Sequence, residues 1–132
     1  MTTSDDDPIT PHAFERICAN LGVVSQVSYI LNRDGDPVPC TDAQLWAAWF
    51  HENGMDVRGV ALTPVGECLV STVFVGVDMN HARSGAPLLF ETMVFRRHGG
   101  PSMDEYTDRY ATRAEALAGH RATVEALTER TR

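Results

Sequence analysis

Apolar residues along this chain recur with two different periods, and each change of period marks an element. Phe14, Ile17, Cys18 and Leu21 fall at i, i+3, i+4 and i+7, which places them on one stripe of a helix. Thr10 supplies a cap, Pro11 suits the first helical position and Gly22 ends the turn, so a short helix is predicted over 10–22. Its stripe docks either on its own domain or on a partner. The stretch VSQVSYIL (24–31) is rich in β-branched residues and runs into the turn chemistry of NRDGDP, which predicts a strand. After Pro37 and Pro39, TDAQLWAAWFHENG returns to the helical period. Thr41 and Gln44 read as a capping box, Leu45, Trp46, Trp49 and Phe50 as the buried face, and Asn53 with Gly54 as the stop. Two tryptophans one turn apart are read as core packing rather than as a ligand cage.

Three strand segments follow, at 58–63, 68–77 and 88–97. PVGE, a short turn, joins the first two, and the longer polar loop DMNHARSGAP separates the last two, a pattern that favours an antiparallel meander. LLFETMVF is apolar on both faces, which predicts a central strand with neighbours and cover on both sides. HGGPSMDE is a further loop, and YTDRYAT after it reads as a short edge strand or an irregular segment. A last helix opens at Thr112, where Glu115 completes a second capping box, and Leu117, His120, Val124 and Leu127 share one of its faces. The expected architecture is α+β: a small antiparallel sheet of three to five strands packed with two to three helices. Residues 1–26 are expected to be an extension, a polar tail of mobile composition plus the short helix, and 27–132 a single domain.

Composition narrows the picture. With 132 residues and 43% hydrophobic content, one core can form without metal or disulfide staples, burying roughly two thirds of the unfolded chain's surface. The net charge of -7 argues against non-specific nucleic-acid binding, which is driven by basic residues displacing counterions. Apart from Asp5, Asp6 and Asp7 the acids are scattered, so they form no stripe that would imitate a nucleic acid. All 11 basic residues are arginine, a codon signature of a GC-rich genome with no consequence for the fold. Cys18, Cys40 and Cys68 are odd in number and far apart, the pattern of reduced thiols in a cytoplasmic protein. No apolar run approaches a membrane span and the first residues lack a signal pattern, so neither a membrane nor export is expected.

Candidate chemistry centres on Glu91. A carboxylate amid apolar strand residues must be paired, protonated or open to a cleft. Its face carries Leu89, Met93 and Phe95, and Arg58, Arg96, Arg109 and Arg113 are the available partners. The structural reading is a paired carboxylate that holds a central strand against the helix layer. The functional reading is a site carboxylate helped by Asp78, His81 or His120. Asp78, Asn80 and His81, with His98 nearby, offer ligand atoms but match no established metal spacing, and Asx-rich loops commonly bond their own backbone. His120 belongs to an apolar helix face, where a hydrogen-bonded rim histidine is the ordinary explanation. His51 suits the end of its helix electrostatically. Ser71 and Thr72 count as nucleophiles only if their face lines a cleft. No P-loop, GxGxxG or GxSxG occurs, and no cofactor is expected.

VSYIL, DGDPVP, LWAAWF, VSTVFVGVDMN, PLLFETMVF and YATRAEALAGH occur in that order. Together they resemble a family of short proteins met in bacteriophages, prophages and GC-rich bacterial genomes, over about Val27 to His120. Such proteins tend to begin at the SYIL block with an initiator in the place of Val27. Residues 1–26 are therefore either an added helix or the product of an assigned upstream start. The resemblance implies an origin in a mobile element and points to no particular activity. The expected function is a non-catalytic protein-binding or regulatory module. A host factor or a second copy would bind it at the sheet edge or at the loops 78–86 and 98–105. The alternative is a small enzyme or ligand- or metal-binding domain built on Glu91.

Overall fold

Alternation decides the centre of the molecule. Residues 68, 70, 72 and 74 on one strand and 90, 92 and 94 on its neighbour all point inward, and all are buried. The computed structural model describes residues 28–80 and 85–130. The helix expected over 10–22, Cys18 and His81 lie outside the described residues.

The elements run β1 (Ser28–Leu31), β2 (Pro37–Cys40), α1 (Ala43–Glu52), α2 (Met55–Arg58), β3 (Gly59–Val65), β4 (Cys68–Phe74), β5 (Phe90–Arg96), a single 3-10 turn (Asp104–Tyr106), β6 (Asp108–Tyr110) and α3 (Arg113–Arg130). β1 and β2 form a two-stranded antiparallel sheet, and β3-β4-β5-β6 form a four-stranded antiparallel meander. The fold is α+β, as the periodicity predicts. YTDRYAT supplies a true edge strand, three residues of β6 paired with β5.

Several local expectations are corrected. PVPC, outside every element expected from the sequence, is strand β2, and Pro39 and Pro37 stand opposite Tyr29 and Leu31. Because the prolines are two residues apart, their missing N–H groups lie on one edge of the strand, and Val38 and Cys40 remain to donate. The cap of α1 is Asp42 rather than Thr41: its carboxylate accepts from the amides of Gln44 at 2.9 Å and Leu45 at 3.2 Å. Leu45 is exposed, and Trp46 with Ala47 holds the buried position instead. β4 stops at Phe74 rather than 77, because Gly76 turns the chain at φ 77. A β-carbon at Gly76 would collide with the Phe50 ring, so both the backbone and the packing demand glycine there.

The core has three parts. Leu31, Phe74, Leu89, Phe90, Tyr110 and Ala116 form one, with the half-buried Trp49 and Phe50 against them. Val65, Cys68, Val70, Val94 and Leu127 form the second, under the far end of α3. Cys40, Trp46 and Ala47 form the third, beneath α1. The indole N–H of Trp46 sits 3.1 Å from the carbonyls of both Tyr29 and Gly76, donating at once to β1 and to the turn that follows β4. Thr112 caps α3 as expected, accepting from the Glu115 amide at 3.1 Å while its hydroxyl donates to the Glu115 carboxylate at 3.0 Å.

Candidate functional site

The four-stranded sheet has two faces of different character. On the inner face an apolar strand pattern is broken twice, at Thr72 of β4 and Thr92 of β5, which stand opposite one another and are fully buried. Their hydroxyls hydrogen-bond at 2.5 Å. Thr72 also reaches Nδ1 of His120 at 2.8 Å, and Nε2 of His120 meets the Thr63 hydroxyl of β3 at 2.8 Å. At the other end Tyr110 of β6 donates to Thr92 at 3.1 Å. A seam of five polar side chains thus runs across all four strands, and it meets α3 at the His120 imidazole and, through Tyr110, at Thr123. No buried side-chain nitrogen or oxygen among the described residues lacks a partner, which is how such a seam is tolerated inside a core. Burial lowers the His120 pKa. Burial raises that of Tyr110, opposed by its hydrogen bond to Thr92 and reinforced by the charge of Asp108. Gly119 makes room for the Tyr110 ring, since a β-carbon there would strike it.

The outer face carries Leu62 and Pro64 of β3, Leu69, Ser71 and Val73 of β4, Glu91, Met93 and Phe95 of β5, and Arg109 of β6. Leu62 is 67% exposed and Phe95 40%. Among the described residues no core cluster includes Leu62, Leu69, Val73, Met93 or Phe95. Of the cover expected on both sides of β5, the described residues supply the inner side, while on the outer side Glu91 and Met93 are half-buried and Phe95 is exposed. β5 has a strand at each edge, and its helix layer lies on the inner face.

Glu91 lies on this outer face. Its carboxylate accepts from Nε of Arg109 at 2.9 Å, directly across the strand pair, with the Glu91 side chain 13% exposed. The pair ties edge strand β6 to β5 sideways along the sheet, which corrects the expectation that it would hold β5 against the helices. Of the other arginines considered, Arg58 lies over the Phe50 ring at 4.7 Å and donates to the Asn53 carbonyl at 2.6 Å. Asp78 accepts from the amides of Asn80 and Leu88, both at 2.8 Å, and so staples the neck of the loop between β4 and β5. His98 meets Glu67 at 2.9 Å with both side chains largely in solvent.

Glu91 and His120 thus lie on opposite faces of the sheet, and Asp78 serves the loop beyond its end. The structure does not bring the three into one cleft. Ser71 and Thr72 are likewise split between the faces. No group of three metal-ligating side chains occurs among the described residues. None of the described helices is long and apolar enough to cross a membrane. Thr63, Thr92 and Tyr110 escaped the reading of single residues. The signal that finds two of the seam's members is the matching polar break in Val70-Thr72-Phe74 and Phe90-Thr92-Val94. Compared with models of protein families, with curated proteins and with solved structures, the chain matches none.

Proposed function

We propose that this chain is a non-catalytic protein-binding module and that its contact surface is the outer face of the four-stranded sheet. The observation that carries the reading is the row of apolar side chains there, led by the exposed Leu62 and Phe95 and outside the core clusters of the described residues. Contiguous apolar surface of this kind marks interaction sites more often than isolated exposed residues do. The order of the six sequence blocks supports an origin in a phage or prophage.

The occupant that fits best is a second copy of the chain. A net charge of -7 makes two copies repel over most of their surface. Among the outward positions of the four strands the only charges are Glu91 and Arg109, and these neutralise one another. Two such faces meet without like-charge repulsion, in the manner of stacked sheets. A patch four short strands wide lies at the small end of stable interfaces, so the dimer is reversible.

Sedimentation of the full chain over a concentration series tests this. Mass should rise from monomer to dimer, and added salt should favour the dimer by screening the net charge. Leu62→Glu should hold the chain monomeric at unchanged melting temperature. A monomer at every concentration and salt level overturns the second-copy occupant. A dimer indifferent to Leu62→Glu and to Phe95→Asp places the interface elsewhere.

A further inference from the structure

We propose that His120 is an acid-sensitive latch: the hydroxyl seam holds α3 (Arg113–Arg130) on the sheet only while the imidazole is neutral, and fixes it as the Nε2–H tautomer. The inference is independent of the outer-face reading.

The hydrogens of the seam are limited in number, and each has its place. Tyr110 donates to Thr92, so the Thr92 oxygen already accepts one bond. Thr92 then donates its own proton to Thr72, and Thr72 donates to the nearest remaining acceptor, Nδ1 of His120. A neutral imidazole that accepts at Nδ1 carries its proton on Nε2, where Thr63 receives it. Every proton in the chain is used, and only the Thr63 hydroxyl needs a further outlet. Thr63 is half-buried, so its hydroxyl has one at the solvent side.

A protonated imidazole donates at both nitrogens. Thr72 must then accept from Nδ1 and turn its own proton toward Thr92, whose oxygen accepts from Tyr110 as well. Thr92 then accepts twice, and its own proton finds a place at this fully buried position only if the phenol of Tyr110 turns away to Thr123 and accepts from Thr92 instead. Among the described residues no counter-ion faces the added charge. β3 presents Thr63, β4 presents Thr72, and β5 presents Thr92. β6 presents the phenol of Tyr110, linked through Thr92, with Asp108 beyond it acting on that phenol. On α3 itself Glu115, Arg121 and Glu125 lie on the exposed side. Burial alone accounts for the lowered His120 pKa, in agreement with this geometry.

The sign follows from linkage. The folded pKa lies below the unfolded value of about 6.5, so between the two the unfolded chain holds a proton that the folded chain refuses. Stability from this site is whole above about pH 6.5 and is lost as the pH falls toward the folded value.

Three measurements on the full chain decide the matter. Long-range nitrogen–proton NMR of His120 at neutral pH should show Nε2 protonated and Nδ1 bare, with the ring still neutral about half a unit below the ordinary histidine pKa. Chemical unfolding between about pH 7.5 and about pH 5.5 should show the wild type taking up more protons on unfolding than His120→Gln, increasingly so as the pH falls. Hydrogen exchange over the same interval, corrected for its intrinsic pH dependence, should show the amides of α3 losing protection before those of β1 and α1. A protonated Nδ1, an ordinary titration of His120 in the folded chain, identical pH profiles, or a uniform loss of protection would each overturn the latch. If His120→Gln does not fold, the NMR and exchange results on the native chain still decide.

Discussion

Thr72 has two buried partners, and replacing its hydroxyl by a methyl removes a donor without changing the shape. Thr72→Val should leave Nδ1 of His120 unsatisfied and cost about 1–3 kcal/mol, measured as a shift of the urea midpoint at constant slope. Glu91→Gln should behave differently. Its partner Arg109 is 39% exposed, so the ion pair contributes no more than about 1 kcal/mol, and the melting temperature should fall by a few degrees at most. Both residues show how far single positions can be read from sequence. The two-residue period assigns Thr92 and Glu91 to opposite faces of β5 correctly. It does not say which face is buried, nor that Glu91 meets Arg109 rather than Arg58, because that depends on strand register over 18 positions of chain.

At the level of elements, periodicity finds α1, α3 and the strands of the meander, and capping chemistry finds the start of α3 at Thr112. What it misses has local causes. β2 is hidden by prolines that a two-stranded sheet accommodates on its free edge, and Asp42 outcompetes Thr41 as a cap because its carboxylate reaches two amides at once. Gly76 ends β4 early, and no period in the sequence signals it. That position should be sensitive: Gly76→Ala meets both a left-handed backbone and the Phe50 ring, and should destabilise by roughly 2–4 kcal/mol, visible in thermal unfolding. Gly35, in the β1–β2 turn with only Arg113 nearby, gives a control in which the backbone strain acts alone.

At the level of the whole molecule, the described helices and the small hairpin serve one side of a four-stranded sheet, and the opposite side is left apolar at its centre. The candidate site was only half legible for that reason. The sequence suggests a chemical cluster around Glu91, whereas the structure divides the candidates between a sealed interior and the outer face of the sheet. The interior itself is divided too. Both tryptophans of the chain stand on α1, next to the hairpin, whereas the longest helix, α3, lies over the other end of the sheet. Indole fluorescence and far-ultraviolet circular dichroism therefore watch different ends of the same molecule. If the two signals change at one denaturant concentration, the Trp46 stitch and the helix clamp belong to a single cooperative unit. If they part, the chain comes undone in two steps, and the order of the signals names which end opens first.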